Sequence, residues 1–277
     1  MLRLRLALHM WTLGGSSFAD TLRIARATGW DAVELRREDF QVAMADAGSA
    51  AAVLDLFRAG GVPLACLGVE LGWMFARGEE RRRLRGVFRE QCERAAAVGC
   101  SVVMSPADRE EGGVRQAADS IREVGDIAAR HGVRLGIEPL SQFGRFRRLG
   151  DIRELLALAG HPHCGLLLDT YHFQRAGDSV RDLEDVRREE LIHVQYSDVP
   201  GGILDPGTTL NRLPPGQGIV PFKEIFALLA AKGYDGYASY EAPNPAAWAR
   251  AAAEVASEAL AATRAVLPGS SRGSALA

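Results

Sequence analysis

The sequence predicts a single (β/α)8 barrel, an α/β fold of the TIM-barrel type. Short apolar runs alternate with amphipathic stretches, and eight such strand–helix units fit into the 277 residues, a length that suits one barrel. A GxGxxG motif does not follow the first apolar run, which argues against an open dinucleotide-binding sheet. We expect one barrel domain over residues 1–266 and a flexible tail over residues 267–277.

The first four units have clear boundaries. Leucines at alternate positions predict a strand over residues 4–9, and a helix follows with a serine cap and a closing Gly29. Further apolar runs predict strands over residues 31–36, 62–69 and 100–106. Helical spacing predicts helices over residues 49–61 and 79–99, the second with an exposed arginine face.

The last four units repeat the pattern. The predicted strands cover residues 133–139, 164–170, 191–198 and 237–242. The predicted helices cover residues 113–132, 149–160, 178–189, 221–233 and 245–267. Strict alternation implies that all the strands are parallel.

Composition excludes several classes of protein. The chain is 47% hydrophobic and 25% charged with a formal net charge of −2, which argues against nucleic acid as the main partner. No apolar run reaches the length that spans a membrane, and the N-terminus lacks the pattern of a signal peptide. The four cysteines form no CxxC pair, so we expect reduced thiols and a cytoplasmic protein without a cysteine-based zinc site.

Oxygen donors follow four consecutive predicted strands. They are Glu138, Asp169, Gln195 and Glu241. Catalysis in such barrels takes place at the carboxyl ends of the strands, where three converging carboxylates would repel one another. A divalent cation removes that conflict, and carboxylate and amide oxygens suit Mg²⁺ or Mn²⁺, with Zn²⁺ or Co²⁺ as alternatives. Each donor taken alone has a structural alternative, as a helix cap, an arginine partner or a buried amide.

Five further residues are candidates for substrate binding. His9 follows the first strand, and Glu34 and Arg36 follow the second. His172 lies three residues after Asp169, and Arg212 lies in a long Gly- and Pro-rich connection over residues 198–222. We expect these side chains to face the substrate, although His172 could bond the backbone instead and Arg212 could be solvated.

Motifs throughout residues 1–266 resemble the xylose-isomerase-like barrel superfamily of sugar isomerases and epimerases. They are GWDAVELR, HGVRLGIEP, GLLLDTYHF, LIHVQYSDVPGG, RLPPGQG and YDGYASYEA. The nearest likeness is to the inosose isomerase type. The resemblance implies one divalent metal ion on the four oxygen donors and substrate contacts from His172 and Arg212. It implies a small polyhydroxy carbonyl substrate, a keto-sugar or keto-cyclitol, with Glu138 and Glu241 transferring a proton through a metal-stabilised enediolate.

Gln195 departs from that pattern. Inosose isomerases and ketose epimerases usually carry histidine there, whereas glutamine resembles hydroxypyruvate isomerases and 3-dehydroshikimate dehydratases. A dehydratase of an anionic substrate would need a carboxylate partner, for which Arg36 and Arg212 are candidates. A degenerate sugar-binding barrel is the non-enzymatic alternative, and a homodimer stays open. The endonuclease IV type is disfavoured, because it needs more histidine ligands and a basic surface.

Overall fold

Eight parallel strands close into a barrel in chain order, which confirms the predicted fold class. The computed structural model describes residues 4–110 and 112–269. The strands are β1 Arg5–His9, β2 Ala32–Leu35, β3 Leu64–Gly68, β4 Val102–Pro106, β5 Arg134–Glu138, β6 Cys164–Asp169, β7 Leu191–Tyr196 and β8 Tyr237–Tyr240.

Helices surround the barrel. They are α1 Phe18–Thr28, α2 Arg37–Ala47, α3 Ala50–Gly60, α4 Gly78–Ala97, α5 Val114–Arg130, α6 Leu149–Ala159, α7 Thr170–Ala176, α8 Val180–Glu184, α9 Phe222–Ala231, α10 Pro245–Trp248 and α11 Ala252–Val266. The serine and glycine caps predicted for α1 are present: Ser17 accepts the amide of Asp20, and Gly29 is left-handed with φ 86°. No single helix in the described ranges is long and apolar enough to cross a membrane, whereas α2 and α3 pass that test only as a pair bent by 98°.

Two helices were not predicted from the sequence. Helix α2 begins directly after β2, and Asp39 accepts the backbone amide of Arg36 at its start. Helix α7 continues from β6, and its cap is Asp169 itself. Elsewhere two predicted helices were too long. The helix expected over 178–189 has only the short α8 as its α-helical part, and the one expected over 245–267 divides at Ala251, whose backbone is extended.

The main hydrophobic core lies between the strands and the helices, and smaller clusters lie apart from it. One joins Ala7, Ala32 and Ala65, and another joins Cys66, Met104 and Leu167. Alternation along a strand puts Leu167 and Asp169 on the same face of β6. The site residues of the later strands therefore continue the inward-facing rows of the barrel. The tail predicted over 267–277 lies outside the described residues from position 270 onward.

Candidate active site

The four predicted oxygen donors come together at the carboxyl ends of β5 to β8. Glu138 and Asp169 are the last residues of β5 and β6, Gln195 lies near the end of β7, and Glu241 directly follows β8. All four are buried, with at most 6% of each residue exposed. Asp169 and Gln195 are register partners in neighbouring strands. Oxygen atoms of Glu138 and Asp169 also lie within 4.8 Å of each other and of a ring nitrogen of His172.

Asp169 both caps a helix and faces the other carboxylates, although a cap and a site position are alternatives in the sequence analysis. Its Oδ1 accepts the backbone amide of Tyr171 at 2.8 Å and so caps α7. Its Oδ2 faces the site, where Arg212 Nη1 donates to it at 2.8 Å. The short helix thus fixes the rotation of the carboxylate, and the second oxygen stays directed toward the other donors.

The Arg212 guanidinium lies among the carboxylates. Its Nη1 is 2.8 Å from both Asp169 Oδ2 and Glu241 Oε2, and its plane lies over the ring of Tyr171 at 4.4 Å. Burial alone would lower the pKa of Arg212, but the charges of Asp169 and Glu241 outweigh it and raise the pKa. Its Nε is buried and has no hydrogen-bond partner in the described residues, so one donor is left for another molecule.

The acids of this cluster titrate in opposite directions. Burial, together with the charges of Asp169 and Glu241, raises the pKa of Glu138 well above its ordinary value. Burial would also raise the pKa of Asp169, but the charge of Arg212 outweighs it and lowers that pKa. The pKa values of Glu138 and Asp169 are thus shifted in opposite directions, as expected when several buried carboxylates lie close together beside one arginine.

His172 is a neutral imidazole at the edge of the cluster. Burial is the main cause that lowers its pKa to about 4. Its Nδ1 lies 3.0 Å from Ser141 Oγ, and its Nε2 lies 3.4 Å from Arg212 Nη2 and 3.6 Å from Glu138 Oε1. The ring is therefore held by Ser141 with its second nitrogen facing the site.

Glu34 and His9 lie deeper than a simple strand-end position suggests. Glu34 is fully buried, and its two oxygens lie 2.8 Å from His193 Nε2 and 2.8 Å from Gln195 Nε2. Burial would raise the pKa of Glu34, but His193 and His9 lower it to about 2. His9 Nε2 lies 3.5 Å from Glu241 Oε1. Glu34 therefore contacts the amide nitrogen of Gln195, whereas His9 lies beside the carboxylate of Glu241 in the cluster.

The donor set fits a divalent cation. Gln195 Oε1 is buried and has no hydrogen-bond partner in the described part of the chain, although the other side of the amide is bonded to Glu34. A buried carbonyl oxygen without a partner is costly unless something else binds it. A cation held by this oxygen and the three carboxylates would satisfy it and would relieve the repulsion among the carboxylates.

Most of the barrel matches a known family. A family model described as the xylose isomerase-like TIM barrel matches residues 22–264. The chain belongs to the xylose isomerase-like TIM barrel family. The resemblance inferred from the sequence motifs is thereby confirmed.

Several curated proteins and solved structures are similar to this chain. An inosose isomerase of Halalkalibacterium halodurans is 30% identical over 138 residues, 47% of this chain and 47% of that protein. A 3-dehydroshikimate dehydratase of Pseudomonas putida is 28% identical over 147 residues, 52% of this chain and 23% of that protein. These alignments thus cover less than half of either relative. The crystal structure of IolI protein with a zinc atom shares the fold, with TM-score 0.87, 19% identity and coverage of 95% of this chain and 98% of that one.

A cavity of about 220 Å³ opens onto the cluster in this xylose isomerase-like barrel. Its walls include Trp11 and Phe143, and an arginine lies over each ring, Arg36 at 4.5 Å and Arg109 at 4.7 Å. Arg36 is also paired with Asp39 through two hydrogen bonds. The size and the mixture of aromatic and charged walls suit a small polar molecule.

Asp198 holds the connection that carries Arg212, a role that was not predicted from the sequence. Its carboxylate accepts four backbone amides, those of Val199, Gly216, Gly218 and Val220, at 2.8–2.9 Å. A Cβ at Gly218 would lie 2.6 Å from Asp198 Oδ1 and 2.1 Å from a carbonyl oxygen, so only glycine fits. The glycine spacing of RLPPGQG therefore reflects these hydrogen bonds to Asp198, and it is the sequence signal that could have indicated them.

Tyr171 and Arg175 fix the outer part of the same connection. Tyr171 donates its hydroxyl to Asn211 Oδ1 at 2.6 Å, and Arg175 donates to the carbonyl of Thr208 at 2.5 Å. The side chains of α7 thus hold the segment just before Arg212. Trp73 is buried, and its Nε1 donates to Ser105 Oγ, so the stretch around it is packed.

Proposed function

We propose that this protein is a divalent-metal-dependent isomerase or epimerase of a small keto-sugar or keto-cyclitol, of the inosose type. The observation that carries the proposal is the convergence, beside a small cavity, of three buried carboxylates and the oxygen of Gln195, which has no partner among the described residues. Relatives named inosose isomerase and 3-dehydroshikimate dehydratase support the substrate class.

Glu138, Asp169, Gln195 and Glu241 would hold the cation. When bound, it supplies Lewis-acid polarisation of the substrate carbonyl. All four donors are oxygens, so the set is compatible with Mn²⁺, Mg²⁺, Co²⁺ or Zn²⁺ and favours the harder ions.

Glu138 and Glu241 are the acid and base of the proposal. They come from β5 and β8, with the strands of Asp169 and Gln195 between them, so they stand at the two ends of the donor row. One carboxylate removes the proton from the hydroxyl-bearing carbon next to the carbonyl. In an isomerisation, the hydroxyl proton moves to the former carbonyl oxygen and a proton is returned to the former carbonyl carbon. In an epimerisation, the other carboxylate returns a proton to the same carbon from the opposite face. A positioned acid–base group contributes about 10²–10⁴-fold to the rate.

His172, Arg212 and His9 orient the substrate. The neutral His172 ring offers Nε2, and Arg212 offers its unpartnered Nε to a substrate oxygen. Arg36, at the cavity wall, completes the polar contacts. Glu34 acts on the substrate only through Gln195, because both of its oxygens are engaged within the barrel.

A substrate screen in deuterated water tests this function. The protein is loaded separately with Mn²⁺, Mg²⁺, Co²⁺ and Zn²⁺ and incubated with inosose, hydroxypyruvate, ketohexoses and dehydroshikimate. We expect NMR to detect deuterium at the carbon next to the carbonyl of inosose or a ketohexose. Dehydration of dehydroshikimate or turnover of hydroxypyruvate would assign the alternative substrates. Binding of less than one equivalent of metal, with no exchange in any substrate, would contradict an enzymatic role.

A further inference from the structure

The orientation of the Gln195 amide decides whether this residue can bind a cation. An amide oxygen is a metal ligand, whereas the NH₂ group is only a hydrogen-bond donor. The two ends of the amide have nearly the same shape, so packing alone does not choose between them. The choice depends on the group that faces the other end, and in this barrel that group is Glu34.

Glu34 is fixed from two sides. His193 and Gln195 lie on the same face of β7, because strand residues two apart point the same way. The Glu34 carboxylate spans both: Oε2 lies 2.8 Å from His193 Nε2, and Oε1 accepts from Gln195 Nε2 at 2.8 Å. The reverse orientation of the amide would set two oxygens at that 2.8 Å separation and would leave the NH₂ group facing the other donors.

We propose that Glu34 is a positioning residue that holds the Gln195 amide with its oxygen toward the cation, and so makes all four ligands oxygens. The inference rests on the proposed metal site. It explains why Gln195 Oε1 is buried without a partner while Nε2 is bonded. A carboxylate behind a metal ligand is a common way to fix the orientation of that ligand.

The same carboxylate can serve a histidine at position 195. A ring N–H would donate to Glu34, and the other ring nitrogen would face the cation. The residue at 195 would then select the metal, since imidazole favours Zn²⁺ and Co²⁺ whereas an amide oxygen favours Mn²⁺ and Mg²⁺. Glu34 would thus orient either side chain, and the residue at position 195 would set the metal preference.

Mn²⁺ binding followed by electron paramagnetic resonance tests the role of Glu34. In Glu34→Gln the acceptor is lost from one oxygen and the Gln195 amide can turn, so we expect Mn²⁺ affinity to fall about 10–100-fold. Glu34→Asp keeps the charge of the side chain but is one methylene shorter, so we expect a smaller loss of Mn²⁺ affinity than in Glu34→Gln. Glu190→Gln, the same substitution at a glutamate paired with Arg153 outside the site, is the matched control and should bind like the wild type.

The exchanged pair Glu34→Gln/Gln195→Glu separates positioning from folding. The amide now donates to the carboxylate, so a carboxylate oxygen again faces the cation, and most of the lost affinity should return. Equal Mn²⁺ affinity in the wild type and Glu34→Gln, or no recovery in the exchanged pair, would overturn the inference while leaving the metal site intact. Failure of the wild type to bind Mn²⁺ would overturn the proposed function and this inference together.

Discussion

Replacing Arg212 with methionine removes the only positive side chain bonded to both Asp169 and Glu241 in the described residues. The two carboxylates are at most 6% exposed, so the variant leaves uncompensated charge in the barrel. Breaking a buried ion pair from one side costs about 3–5 kcal/mol. With an unfolding entropy of about 2.1 cal/mol/K per residue over 277 residues, this cost lowers Tm by about 5–9 °C.

Calorimetry with a chelator and then with saturating Mn²⁺ measures this effect. Without metal, Arg212→Met should unfold about 5–9 °C below the wild type. With Mn²⁺ the gap should narrow, because the cation supplies the charge that the arginine supplied. Arg109→Met is the control, since Arg109 is exposed and lies over Phe143, an interaction of about 0.5–1 kcal/mol. Equal Tm values for the two variants without metal, or a gap unaffected by Mn²⁺, would refute the reasoning.

Three further outcomes are expected. Glu241→Gln should lower kcat about 10²–10⁴-fold while substrate still binds, with the exposed Glu258→Gln as an active control; near-normal turnover would remove Glu241 from the mechanism. Asp198→Ala should raise KM, because four amides lose their acceptor and Arg212 shifts, whereas Asp205→Ala, which frees one exposed amide, should not. The metal-free protein should lose about 3 kcal/mol from His172 as pH falls from 6.5 to 4, because the unfolded chain takes up the proton first, and His172→Asn should lack this loss in urea titrations.

The sequence predicted the barrel because its signals are local. Alternating leucines, Ser and Gly caps and apolar runs each specify one element, and strict alternation leaves few topologies. Helices α2 and α7 were not predicted, since they follow their strands without a loop and have weak apolar spacing. The start of α7 could also not be located from the sequence, because Asp169 both ends a strand and caps a helix.

The four oxygen donors could be predicted because each of them lies at the end of a strand; they are Glu138, Asp169, Gln195 and Glu241. A local sequence pattern does not show which distant residues contact each other. Glu34 and Gln195 are 161 positions apart, and Asp169 and Arg212 are 43 apart. The hydrogen bonds between them form because the barrel closes and because the connection over residues 198–222 brings Arg212 back to the strand ends. The sequence therefore indicated the residue types but not their hydrogen-bond partners.

Mn²⁺ binding by the wild type and by Asp169→Asn tests the central claim most directly. The substitution keeps the shape of the side chain and its cap on α7 but removes the charge at the centre of the donor row. We predict one equivalent of Mn²⁺ on the wild type and a loss of that binding in Asp169→Asn, with both proteins folded in the absence of metal. Binding of less than one equivalent by the wild type, or equal binding by the two proteins, would contradict a metal centre at these four residues.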